Sequence, residues 1–190
     1  MKIASRNVNG IRAVTGKGFY DRAKKSDPDI ICLQEVKSFE SQLPKEFRYH
    51  MTDYNIIRHS GERPWYSGVA TLYKKTLKFI SWISKFDTIE HFHQDGRVIE
   101  TKFHDFTLVN VYFPNGGERA DGTEMLSYKI EFYKHFLHYI NKLRDNWERV
   151  ITCWDFNICH REIDIARPKE NEKSIGFLPI ERAELDKLES

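Results

Sequence analysis

Eight short apolar runs, set apart by helix-like patterns or tight polar turns, restrict this chain more than any other feature. Strands of that length have to be buried in sheets covered by helices. The runs extend from Ile3 to Val8, Asp29 to Leu33, Tyr54 to Arg58, Ser67 to Tyr73, Lys78 to Ser84, Arg97 to Phe103, Thr107 to Phe113 and Arg149 to Cys153. Between Tyr54 and Phe113 successive strands are joined by turns such as Asp95-Gly96, which predicts an antiparallel meander supplying much of one sheet. Phe19 to Lys25 lies between the first two strands, and the following Asp27-Pro28 stops a helix and starts an extended segment, so that unit reads as βαβ.

The clearest helix runs from Glu124 to Trp147, with Leu126, Ile130, Tyr133, Leu137 and Ile140 in one stripe and Phe132, Phe136, Leu143 and Trp147 widening it. A last helix starts at Pro179, a first-turn proline, and carries Leu185 and Leu188. This order favours an α/β sandwich of two sheets with covering helices. The 190 residues suit one domain spanning 1–190, and 40% hydrophobic with 31% charged residues excludes collagen-like and disordered classes. The net charge of +2 is too even to argue for or against nucleic acid. No run approaches the roughly 20 apolar residues that cross a bilayer, and Cys32, Cys153 and Cys159 form no Cys-x-x-Cys pair. A cytoplasmic, reducing environment with no membrane partner is the expectation.

Four apolar runs finish in tight polar clusters: Asn7-Val8-Asn9-Gly10, Gln34-Glu35, Tyr112-Phe113-Pro114-Asn115-Gly116 and Asp155-Phe156-Asn157. Strand ends are where α/β folds place chemistry. If these ends share one rim, Asn7, Glu35, Asp155 and Asn157 supply two carboxylates and two amides, hard ligands and orienters that suit Mg2+ rather than zinc. Glu35 could then hold the ion against a phosphate, Asp155 could orient or deprotonate a water, and Asn157 could fix Asp155 or a phosphate oxygen. Tyr112 could donate to developing charge. Taken singly, Gln34-Glu35 also reads as a solvated strand end, and Asp155-x-Asn157 as a turn cap. His91-x-His93 and His135-x-x-His138 have no Cys or acidic partner at zinc-ligand spacing and read as surface or helix-face histidines. Arg58, His59, Arg63, Trp65 and Tyr66 read equally as a DNA-facing loop and as a solvated one.

Asn7-Val8-Asn9-Gly10-Ile11-Arg12, Ile31 to Lys37, Ser67-Gly68-Val69-Ala70, Gly96-Arg97, Val111 to Gly116 and Asp155-Phe156-Asn157-Ile158 resemble, in order, the motifs of the exonuclease III family of abasic-site endonucleases. Glu162-Ile163-Asp164 and Gly176 to Arg182 are similar to that family too. The resemblance implies a four-layered sandwich of two mixed β-sheets flanked by helices. It also implies a nuclease that uses Mg2+ or Mn2+ to cut duplex DNA 5′ to an abasic site and to trim 3′ ends. By motif match Glu35 would be the metal ligand with Asn7 at the metal site helping to position it, Tyr112, Asp155 and Asn157 would serve the reaction, and Asn115 and Arg97 would bind substrate.

Three departures accompany the resemblance. No counterpart of the family's late Arg-Ile-Asp and Ser-Asp-His segments is present, so the sandwich is expected to be incomplete at the C-terminus. That leaves as the alternative a catalytically impaired, truncated remnant that still binds DNA, and exposed edges would invite self-association of a family expected to be monomeric. Arg6 stands where the family has a buried aromatic, and Ala4 and Val8 beside it imply burial of an unpaired guanidinium at a cost of several kcal/mol. Trp154 replaces the glycine of a Gly-Asp-x-Asn motif and would crowd the site if that glycine supplies a positive φ or a close approach.

Overall fold

The computed structural model describes residues 1–86, 90–119, 121–146 and 148–189. Trp147, the expected end of the long helical stripe, lies outside them. The chain divides into two compact units, Met1–Tyr112 with Trp147–Asp155, and Phe113–Asn146 with Phe156–Ser190.

Among the described residues the first unit holds eight strands: β1 Ile3–Asn7, β2 Ile30–Gln34, β3 Tyr54–His59, β4 Val69–Lys74, β5 Phe79–Ile83, β6 Val98–Phe103, β7 Thr107–Tyr112 and β8 Val150–Asp155. Its helices are α1 Ile11–Thr15, α2 Phe19–Ser26, α3 Lys45–His50 and α4 Glu90–Gln94. All eight expected runs are strands. They form two mixed sheets, ordered β1-β2-β4-β3 and β5-β6-β7-β8, with β1–β2 and β7–β8 parallel and the other neighbours antiparallel.

The expected single meander is therefore split. β3 and β4 pair in the first sheet, β5, β6 and β7 in the second, and α4 interrupts the run between β5 and β6. The strands also differ in burial. In β2 and β4 both faces are buried, as in a strand with packed layers on each side. β5 ends its sheet with every residue exposed, Ile80 at 56% and Trp82 at 44%.

Between the sheets Ile30, Cys32, Val69 and Tyr73 meet Ile99, Phe103, Leu108 and Tyr112, with Cys153 packed at the margin. On the outer face of the first sheet Ile31, Leu33, Ala70 and Leu72 meet Val14, Phe19 and Phe47 of α1, α2 and α3. Each large apolar side chain so buried contributes about 1.5–3 kcal/mol. β1 and β8 each end a sheet and contact one another, so the expected burial of Arg6 does not hold: on this edge strand its side chain is exposed. Trp154 is a regular strand residue paired with Val111 and has no left-handed φ, so its place does not demand glycine's conformations.

The second unit contains α5 Leu126–Asp145, α6 Pro168–Asn171 and α7 Pro179–Glu189. Ile130, Phe132, Tyr133, Phe136, Tyr139, Ile140 and Leu143 are buried along α5, while Leu126 and Leu137 flank the stripe half-buried. Phe113 stacks on Tyr133 at 4.2 Å and meets Phe136 edge-on at 5.0 Å. Among the described residues no helix is long and apolar enough to cross a membrane.

Candidate active site

The two parallel strand pairs bring polar residues to one rim of the first unit. Asn7 is the register partner of Gln34 and Tyr112 that of Asp155, so the ends of β1, β2, β7 and β8 carry the side chains the sequence singles out. Asn7 Nδ2 donates to Glu35 Oε1 at 2.9 Å and to Asp155 Oδ2 at 2.6 Å, joining carboxylates on different sheets. Tyr112 adds its hydroxyl to Glu35 Oε1 at 2.7 Å. The Lys37 ammonium lies 2.6 Å from Glu35 Oε2 and donates to Asn9 Oδ1 at 2.6 Å. Burial would push the Glu35 carboxyl up, but the Lys37, Asn7 and Tyr112 donors outweigh it and hold it below the usual glutamate range.

The backbone at the rim is constrained. Asn9, Glu35 and Lys37 take φ of 42°, 53° and 50°. For Glu and Lys such a conformation costs about 1–3 kcal/mol each and persists only where its surroundings enforce it. Here Gly10 N–H bonds Glu35 O at 2.7 Å, Val36 N–H bonds Gly68 O at 2.9 Å and Lys37 N–H bonds Ser67 O at 2.8 Å. Gly10 has φ +98° with nothing within 4 Å of an added Cβ, so glycine is needed there for its backbone freedom rather than for space.

Below the rim, a buried polar set joins the sheets. Asn110 Oδ1 accepts from Gln34 Nε2 at 2.9 Å, and Asn110 Nδ2 donates to Ala70 O at 2.9 Å. Arg97, expected to bind substrate, is 1% exposed and committed elsewhere. Its Nε meets Asp95 Oδ2 at 3.0 Å, Nη2 meets the Tyr66 hydroxyl at 2.7 Å and Nη1 meets Tyr112 O at 3.3 Å, with the guanidinium 5.2 Å from the Tyr112 ring. It supports Tyr112 from beneath. Arg63 completes the set at Asp95 Oδ1, 3.0 Å away. Burial pushes the Asp95 carboxyl up, but the Arg97 charge and the two arginines' hydrogen bonds outweigh it and hold it below the usual aspartate range.

Asn7 Oδ1 accepts from Asn9 N–H at 2.9 Å, which turns Nδ2 towards the two carboxylates it bridges. Asn157 and Asn115 belong to the second unit. Asn157, with φ 51°, donates to Phe113 O at 2.7 Å, and Asn115 is exposed with Oδ1 accepting from Gly117 N–H at 3.1 Å. Of the basic aromatic segment, Arg58 and His59 end β3, with Arg58 donating to Ser38 O and His59 Nδ1 3.0 Å from Val98 O. Trp65 is half-exposed under the Arg12 guanidinium, 3.9 Å from its ring.

Sequence reasoning missed Lys37, Asn9, Asp95 and Asn110. Lys37 and Asn9 each follow a singled-out residue by two positions, and Asn110 is an amide inside an apolar run, a placement that requires a buried partner. Among the described residues no three His, Cys, Asp or Glu side chains gather as a metal cluster. The two carboxylates on Asn7 still fit Mg2+ or Mn2+, because Mg2+ usually takes one or two protein carboxylates and fills the rest of its shell with water and substrate oxygens.

Residues 7–186 match the Endonuclease/Exonuclease/phosphatase family. Over 189 residues, 96% of this chain and 48% of its own length, a DNA-(apurinic or apyrimidinic site) endonuclease of Dictyostelium discoideum is 39% identical. An exodeoxyribonuclease of Bacillus subtilis is 37% identical across 96% of this chain and 68% of its own. An AP endonuclease from Archaeoglobus fulgidus superposes with a TM-score of 0.83 at 28% identity, covering 99% of this chain and 69% of that one. The chain thus spans about half the length of the Dictyostelium relative.

Proposed function

Because this chain belongs to the Endonuclease/Exonuclease/phosphatase family, we propose that it hydrolyses DNA phosphodiester bonds at abasic sites and 3′ ends with the help of Mg2+ or Mn2+. The observation that carries this reading is the Asn7 amide, which joins Glu35, 28 residues away in sequence, to Asp155, 148 residues away. Glu35, with Asp155 beside it, would hold the cation. When bound, the cation supplies positive charge to a scissile phosphate and lowers the barrier to developing negative charge.

The chain's own residues do the rest. Asp155 takes a proton from, or orients, the attacking water, and Asn7 keeps its carboxylate turned to the rim. The Tyr112 hydroxyl, braced by Arg97, gives its one proton to Glu35 in the free chain and would turn it to a phosphate oxygen once the Glu35 carboxylate is bound to the cation. Asn157 and Asn115, on the segments that follow Asp155 and Tyr112, serve the phosphate and the substrate backbone. Sequence likeness to an abasic-site endonuclease and to an exodeoxyribonuclease supports DNA over lipid or small phosphate esters as substrate.

Purified chain incubated with an abasic duplex and Mg2+, beside Glu35→Ala, tests the reading. Cleavage above the variant is expected, and equal rates would overturn it. A second reading is favoured by Lys37, whose ammonium at 2.6 Å already neutralises one Glu35 oxygen. In that reading the chain binds DNA without turning it over, and gel shifts by both proteins with cleavage by neither would establish it.

A further inference from the structure

Lys129 is a lysine with no access to water. It is 0% exposed, and with Phe132, Tyr133, Phe136, Ile140 and Leu143 it follows the spacing of the buried face of α5. Its Nζ donates to Asn115 O at 3.0 Å, to Asn157 O at 2.7 Å and to Glu181 Oε1 at 2.6 Å. Glu181 at the start of α7, also 0% exposed, accepts on Oε2 from Gly176 N–H at 2.7 Å and Leu178 N–H at 3.0 Å. Gly116, at φ +86°, leaves room for this: a Cβ there would lie 2.7 Å from Lys129 Cδ.

Stability alone does not account for the arrangement. Desolvating an ion pair costs several kcal/mol per ion, and apolar side chains of similar volume usually serve folding as well or better. What an apolar residue could not do is bond two main-chain carbonyls. One of them belongs to Asn157, whose φ of 51° lies in the left-handed region that asparagine tolerates, and whose carbonyl the ammonium holds at 2.7 Å. The two carbonyls lie three residues after Tyr112 and two after Asp155, the ladder partners that end β7 and β8.

We infer that the Lys129–Glu181 pair is a positioning device that fixes the main chain at Asn115 and Asn157, so that both amides are presented in one conformation to the substrate. The role rests on the nuclease reading above, while the tie itself does not. In the wild-type chain, amide exchange of residues 113, 115–117 and 156–159 should be as slow as in the middle of α5, and exchange as fast as in an exposed loop would overturn the tie with no variant needed.

Lys129→Met combined with Glu181→Gln keeps an acceptor for Gly176 and Leu178 and removes both the charges and the carbonyl bonds. This pair of changes should speed exchange of the two segments at least about ten-fold. Because a misplacement of about 1 Å can cost 10²-fold in rate, kcat on an abasic duplex should fall about ten- to hundred-fold with KM within about three-fold. Unchanged exchange in the double variant, faster exchange with unchanged kcat, or a loss confined to KM would each overturn the positioning role. A wild-type chain that exchanges slowly but never cleaves would overturn the nuclease reading, and with it the role in catalysis, while leaving the tie in place.

Discussion

Tyr112 and Asn7 donate to the same oxygen, Glu35 Oε1, at 2.7 and 2.9 Å, although their strands belong to different sheets. The shared acceptor makes Tyr112 a reporter of the rim. Tyr112→Phe keeps the ring that the Arg97 guanidinium approaches at 5.2 Å and deletes only the hydroxyl. Stability should drop by about 1 kcal/mol, the usual net value of one hydrogen bond. Loss of a preorganised donor to developing charge should lower kcat by about 10²-fold. Single-turnover cleavage of an abasic duplex measures this, and wild-type rates would remove Tyr112 from the reaction.

Glu35 and Asp155 should behave as one unit, since the same Nδ2 atom holds both at 2.9 and 2.6 Å. Groups that act together lose most of their effect when either is removed. Glu35→Ala and Asp155→Asn are each expected to lower kcat by about 10³-fold or more, and the double variant little further. Losses that multiply in the double variant would mean that the two carboxylates act in separate steps.

The sequence makes strands and rim legible for one physical reason: a strand that is buried and then surfaces must change from apolar to polar within a residue or two. Asn7, Glu35, Tyr112 and Asp155 sit at such changes. The partition of strands between sheets is not written that way. The Lys75–Lys78 connection between β4 and β5 looks like any hairpin turn, yet it carries the chain from one sheet to the other. Charged residues mislead in both directions. Arg97 and Lys129 are fully buried because each finds partners on several elements, whereas Arg6, in an apolar context, is exposed on an edge strand. Partners so distant in sequence leave no local pattern.

Arg6 gives a direct check of that last point. An exposed side chain away from a cap or network changes stability by about 0.5 kcal/mol or less when truncated. Arg6→Ala should therefore leave the urea midpoint almost unmoved. A loss near 3 kcal/mol would restore the buried guanidinium that its neighbours Ala4 and Val8 suggest.

Asp95 is one of the carboxyls that make the first unit sensitive to acid. The residue is 6% exposed, and its carboxylate lies 3.0 Å from both Arg63 and Arg97, which hold its pKa below the usual aspartate value against the opposing push of burial. A carboxyl with a depressed folded-state pKa binds protons more readily in the unfolded chain. Its stabilisation is therefore complete above the ordinary aspartate pKa and is lost as pH falls from there through the lower folded-state value. Asp95→Asn removes that titration and also strands the buried Arg97 charge, so it should cost about 3–5 kcal/mol at pH 7, where the carboxylate is ionised. The deficit should narrow steadily below about pH 4, because wild type then loses what the variant never had. Urea unfolding of the two proteins between pH 7 and pH 3 reads both effects. A deficit that stays constant through the acid range would show that the ionisation of Asp95 contributes nothing and that only its shape matters.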